Sequence, residues 1–131
     1  MSIFIYWNDK YKEANLPFIS LTKSKTGETG TATFIFLNPT LFQLDCITNF
    51  TLRNMSICLG KKNFSTQDIE VLFWEGKPYL VKSIFLFKNT TEWFQFLTLL
   101  ADLSRQTGLG FFSTGSLKKD FSHFLFFGEK D

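Results

Sequence analysis

The chain has 131 residues, 18 of them Phe, a formal net charge of +2, two cysteines and one histidine. This length fits one domain, able to bury roughly two-thirds of its unfolded surface and to fold without metal or disulfides. The weak charge excludes a strong electrostatic footprint for nucleic acid. One His and two Cys fall short of a four-ligand zinc site, and no run nears the ~20 apolar residues that span a bilayer.

In chain order, Ile3 to Trp7 reads as a first strand, directly at the start and without a secretory signal before it. Cys46 and Cys58 are therefore expected as free thiols in a reducing compartment. Asn8 to Asn15 is polar and leads into Leu16-Pro17, where proline enforces an extended approach. Phe18 to Thr22 alternates as a second strand. Thr31 to Leu37, rich in Thr and Phe, is a third and stops at the turn pair Asn38-Pro39.

Strand character returns at Ile47 to Leu52 and Met55 to Leu59, followed by a turn at Gly60-Lys61-Lys62-Asn63. Asp68 to Trp74 alternates, with Ile69, Val71 and Phe73 on one face and Glu70, Leu72 and Trp74 on the other. Glu75-Gly76 turns the chain into a strand from Tyr79 to Phe87, although Glu suits the positive φ of a type I′ turn less well than Asn or Asp.

One helix follows. Asn89 caps it, Glu92 stands three residues on, and Trp93, Phe96, Leu97, Leu100 and Leu103 recur at helical spacing. Gly108 suits the left-handed residue beyond its end, with Leu109 available for the accompanying apolar contact. Several strands and one late helix, without alternating β and α units, predict an α+β fold: a mainly antiparallel sheet with a C-terminal amphipathic helix packed on one face. Residues 1–112 are expected as a single domain and residues 113–131 as a Phe-rich C-terminal extension, in which Leu117, Phe121, Phe124 and Leu125 have helical spacing.

The glycine-rich stretch Lys25-Thr26-Gly27-Glu28-Thr29-Gly30 invites a phosphate-loop reading. Such a loop needs a helix after it and a lysine placed to reach the phosphates. Here Thr31-Ala32-Thr33-Phe34-Ile35-Phe36 follows, a strand pattern, so the stretch reads as a hairpin loop. His123 has no second imidazole and no nucleophile elbow to work with. Asp68 with Glu70, and Asp9 with Glu13, read as solvated carboxylate pairs. Trp93 reads as core, whereas Trp74, beside a turn, fits core or interface equally. No catalytic residue, metal or cofactor is expected. What the pattern does offer is an open sheet, whose edge strands leave N–H and C=O groups for a partner chain to pair with.

Four segments, "PFISLTKSK" with "GTATFIFLNP", "ITNF", "VLFWEGKP", and "TTEWFQFL" leading to "GLGF", together resemble one family in order and spacing. It is the photosystem II reaction-centre W, or Psb28, family, and the resemblance spans Pro17 to Phe111. It implies a non-enzymatic, pigment-free assembly factor, peripheral to the thylakoid membrane on the stromal side in a plastid or on the cytosolic side in a cyanobacterium. The partners implied are reaction-centre and inner-antenna subunits of immature photosystem II, bound by extending the sheet; neither nucleic acid nor a small-molecule substrate is implied. Leu21, Thr22, Lys23, Ser24, Lys25, Gly30, Thr31, Thr33 and Phe34 match the family's most recognisable stretch and are the expected docking loop and strand. The competing reading is a single-stranded nucleic-acid-binding module using sheet aromatics, against which the thin basic framing of those aromatics counts.

Overall fold

The computed structural model describes residues 2–43, 52–108 and 112–115. Among these residues nine strands, β1 (Ile3–Trp7), β2 (Tyr11–Lys12), β3 (Phe18–Lys23), β4 (Gly30–Leu37), β5 (Met55–Leu59), β6 (Lys62–Thr66), β7 (Ile69–Trp74), β8 (Lys77–Phe87) and β9 (Phe112–Gly115), accompany one α-helix, α1 (Thr90–Thr107), and a 3-10 turn at Thr40–Gln43. The strands form a four-stranded sheet in the order β2-β1-β5-β6 and a five-stranded sheet in the order β7-β8-β4-β3-β9. The expected α+β class, mainly antiparallel with a late helix, is the fold observed. β2, β6 and β9 are additions, and β9 runs parallel to β3. The strand expected from Ile47, Cys46, Leu109, His123 and the apolar positions of the extension from Leu117 onward lie outside the described residues.

The chain divides into two compact units, Met1–Pro17 with Phe34–Ile84, and Phe18–Thr33 with Phe85–Asp131. In the first, β1 pairs antiparallel with β5 from Ile3↔Leu59 to Trp7↔Met55, and β5 pairs with β6. Inward positions at period two bury Ile5, Trp7, Phe34, Phe36, Met55 and Ile57, and the Trp7 ring meets the Phe36 ring edge-on with centroids 4.9 Å apart. The β1–β2 turn uses Asn8 and Asp9 at φ 53° and 59°, the residue types that best tolerate the left-handed region. The Asn8 side chain then accepts from the Arg53 and Asn54 amides, at 2.7 and 3.1 Å, tying this turn to the approach of β5.

The β7–β8 hairpin follows the sequence closely. Glu75 (φ 51°) and Gly76 (φ 81°) are both positive, as a type I′ connection demands, so Glu occupies a position better suited to Asn or Asp. One departure matters for the surface. A register shift between Leu72 and Phe73 breaks the alternation, and Phe73 and Trp74, neighbours in sequence, both end up exposed.

In the second unit, α1 lays Trp93, Phe96, Leu99, Leu100 and Leu103 inward. Leu99, not Leu97, is the buried leucine of its middle turn; Leu97 is half-buried. The Phe96 ring lies 5.4 Å from Phe85 and 4.6 Å from Phe87, and Trp93 lies 5.6 Å from Phe87. Because Phe85 and Phe87 flank the exposed Leu86, the helix covers one face of this end of β8. The ends are built as expected. The Asn89 side chain accepts from the Glu92 amide at 3.0 Å, and Gly108, at φ 80°, donates its N–H to the Ser104 carbonyl at 2.8 Å. Asn89→Ala and Gly108→Ala are each expected to cost about 1 kcal/mol of stability, the first by orphaning an amide and the second by forcing a Cβ into the left-handed region. Urea denaturation of the two variants measures both.

Candidate partner-docking site

The expected docking stretch is a closed hairpin loop. The Ser24 N–H donates to the Thr29 carbonyl and the Gly27 N–H to the Ser24 carbonyl, both at 3.0 Å. Ser24 Oγ accepts from the Thr29 amide, and Thr26 Oγ1 from the Glu28 amide, both at 3.3 Å. Gly27 sits at φ 77°, where an L side chain is strained. The loop spends these amides on itself and leads into a strand, so nothing in it cradles a phosphate.

The nine expected residues divide by burial. Thr22 and Lys25 are exposed; Lys23, Ser24, Thr31 and Thr33 are half-buried; Leu21, Gly30 and Phe34 are buried. Leu21, Thr22 and Lys23 are also in backbone register with Ser113, Thr114 and Gly115 of β9. β3 is thus an interior strand of its sheet, and an incoming strand meets β9 there first.

Gly30 has a structural role of its own. A Cβ on it would stand 2.5 Å from Cζ2 and 2.7 Å from Cη2 of Trp93, and 2.7 Å from the Thr22 carbonyl oxygen. The Trp93 indole rests on the bare backbone of β4. The "GTATF" and "EW" segments, distant in sequence, are therefore the two halves of one packing contact.

Of the two carboxylate pairs expected to be solvated, Asp68 with Glu70 is exposed, whereas Asp9 with Glu13 is placed differently. Asp9 is exposed, but Glu13 is buried. Its Oε1 accepts from Trp7 Nε1 at 2.8 Å, its Oε2 from the Asn15 amide at 2.9 Å, and both oxygens lie 3.0 Å from the Thr40 amide. The Thr40 hydroxyl donates to Oε2 as well. Such a carboxylate, saturated by donors, is a structural pin with no lone pair directed at a substrate. Its sequence neighbourhood carries no sign of this, because the donors come from positions 7, 15 and 40. Burial pushes the Cys58 thiol above its ordinary range and the Asp9 carboxylate adds to the shift, the opposite of an activated nucleophile. Among the described residues no group of three or more His, Cys, Asp or Glu could hold a metal ion, and no helix is long and apolar enough to cross a membrane.

The strongest surface feature lies elsewhere. Phe73 and Trp74 are 61% and 66% exposed on the last strand of the five-stranded sheet. The exposure resolves the two readings of Trp74 in favour of surface. Residues 63–76 carry Asp68, Glu70 and Glu75, and Lys77 and Lys82 stand across the hairpin from Trp74 and Glu70, so the surroundings of these aromatics are of mixed charge.

Comparison with known proteins adds the family. The profile described as Psb28 protein matches residues 5–111. This chain belongs to the Psb28 family. Relatives named photosystem II reaction center Psb28 protein include those of Trichormus variabilis and Thalassiosira pseudonana, each 33% identical over 99 residues, covering 76% of this chain and 87% of the relative. The Pyropia yezoensis protein of the same name is 28% identical over 104 residues, covering 79% and 90%. The Psb28 match contains Gly30, Trp93, Glu13 and the whole of β7, and ends before the expected extension.

Proposed function

We propose that this chain is a non-enzymatic assembly factor of photosystem II, acting as an extrinsic binding module. In this reading it docks on immature intermediates containing the inner antenna, at the stromal side of a plastid thylakoid, or the cytosolic side in a cyanobacterium, and associates only peripherally with the membrane. Binding works by strand addition to an open sheet edge, which needs main-chain donors and acceptors but neither a catalytic group nor a cofactor. The observation that carries the reading is the match to the Psb28 family over residues 5–111, together with relatives whose names place them with the photosystem II reaction centre. The fold supports it through sheets whose end strands, among the described residues, have a strand neighbour on one side only.

The test is affinity capture from solubilised thylakoids of the source organism with the tagged chain, followed by subunit identification. Recovery of reaction-centre and inner-antenna subunits without the oxygen-evolving subunits is the expected result. Recovery of no photosystem II subunit at any salt concentration overturns the reading.

A further inference from the structure

The net charge of +2 conceals an uneven distribution. The four-stranded sheet and its turns take in residues 2–12 and 53–66, which hold Lys10, Lys12, Arg53, Lys61 and Lys62 against one acid, Asp9. All five bases are exposed, and among the described residues none of them makes an ion pair. Asp9 is tied down instead, accepting from the Ser56 hydroxyl at 3.1 Å and from the Asn54 side chain at 3.4 Å. The next acids are Glu13, buried among its donors, and Asp68, two residues past β6.

Register spreads the bases over this sheet. Ile3 stands opposite Leu59, so the β5–β6 turn with Lys61 and Lys62 lies at the start of β1. Asn8 holds the Arg53 amide at the other end of β1, close to Lys10. Lys12 stands opposite Tyr6 and sets its ammonium 4.1 Å from the centroid of the Phe4 ring. Ile5, Trp7, Met55 and Ile57 point inward, which gives Phe4, Tyr6 and Cys58 to the outer face. Phe4 and Tyr6 are only half-buried there, yet none of the exposed large apolar side chains among the described residues belongs to these four strands.

This combination selects among anionic partners. A single-stranded nucleic acid needs bare ring faces for stacking, and Lys12 already occupies one face of Phe4. An acidic protein segment binds tightly through desolvated aromatic or apolar anchors, which this surface does not expose. A plane of anionic headgroups asks only for bases that reach its surface.

We propose that the outer side of the four-stranded sheet is an electrostatic seat for anionic lipid headgroups. The inference rests on the peripheral-membrane reading above and deepens it: the chain meets the bilayer directly, without photosystem II in between. Each base close to an anionic bilayer strengthens binding about fivefold, so the association is salt-sensitive and readily released.

The test is cosedimentation of the full chain with vesicles of mixed phosphatidylglycerol and phosphatidylcholine, or of phosphatidylcholine alone. Binding to the mixed vesicles at low salt, its loss at high salt, and no binding to the neutral ones are expected. The triple variant Lys10→Gln, Lys61→Gln, Lys62→Gln should bind about a hundredfold more weakly. The triple variant Lys25→Gln, Lys77→Gln, Lys88→Gln removes the same charge from exposed positions elsewhere and should lose less than about tenfold. Thermal melts verify that both stay folded.

No binding to the mixed vesicles, equal binding to the neutral ones, or equal losses for the two triple variants overturns the proposal. So does tighter binding to a single-stranded oligonucleotide than to the vesicles at equal phosphate and salt, which would make the surface a nucleic-acid site. Capture from solubilised thylakoids separates lipid from protein, because the bilayer is gone. The sheet variant should still recover photosystem II there as well as the unmodified chain; a loss would mean that these bases meet a protein, and the lipid assignment falls. If the unmodified chain captures no photosystem II, the function proposed above fails, and the vesicle result alone decides whether the sheet binds anionic lipid.

Discussion

Gly30→Ala is expected to lose about 3 kcal/mol of stability, near the upper end for adding one methyl group to a packed position, and to lower the melting temperature by about 10 °C. The cause is crowding. The new Cβ would stand 2.5 Å from the Trp93 ring and 2.7 Å from the Thr22 carbonyl oxygen, so both a buried indole and a neighbouring backbone must move. Gly27→Ala is the control. Gly27 has a positive φ but nothing within 4 Å of the added atom, and it should lose only the left-handed penalty of roughly 1 kcal/mol. Gly30 has no positive φ, so equal losses for the two glycines would show that Trp93 and the Thr22 backbone shift far enough to relieve most of the crowding. Adding Trp93→Leu to Gly30→Ala should cost less than the sum of the single changes. The ring clash is then gone, although the Thr22 carbonyl remains in the way. This contact bears on function too: the most recognisable family segment holds α1 against β4 whether or not its loop meets a partner.

Glu13→Ala is expected to cost about 3 kcal/mol, because it strips acceptors from a buried indole N–H and from two backbone amides at once. Glu13→Gln separates charge from shape. It keeps one acceptor oxygen for Trp7 but turns an NH₂ group toward the Thr40 and Asn15 amides, donor against donor, so it should recover little of the loss. Urea unfolding of the two variants gives the values. If Glu13→Gln matches the unmodified chain, one acceptor suffices and the network around Thr40 contributes little. In either case photosystem II capture by the folded fraction should persist, since the Glu13 carboxylate is buried and taken up by internal donors.

Legibility followed the range of the interaction. The β7–β8 hairpin, the Asn89 cap, the Gly108 terminus and the loop at Lys25 to Thr29 depend on neighbours within a few residues, and each was readable from composition and spacing. β2, two residues in a polar stretch, and β6, which begins within the turn predicted at Gly60 to Asn63, have little hydrophobic alternation; they are strands because β1 and β5 present a ladder to pair with. The substitution of Leu99 for Leu97 on the buried side of α1 has the same origin: both fit a helical stripe, and only the neighbouring elements decide how wide that stripe is. For the docking stretch, a family signature marks residues that matter without saying whether they matter to packing or to a partner. Leu21, Gly30 and Phe34 are buried, whereas Thr22 and Lys25 face solvent.

By itself the sequence determined the α+β class, the positions of its principal strands along the chain, the helix and its caps, and the family. These rest on local periodicity and on the order of short motifs, which a linear reading contains. The tertiary structure alone decided that β3 is lined by β9, that Glu13 is buried among donors from positions 7, 15 and 40, that Gly30 is a seat for Trp93, and that Phe73 and Trp74 are both exposed at the end of β7. Strand order, burial and edge exposure depend on which segments of the chain come together, and a one-dimensional pattern does not specify those pairings.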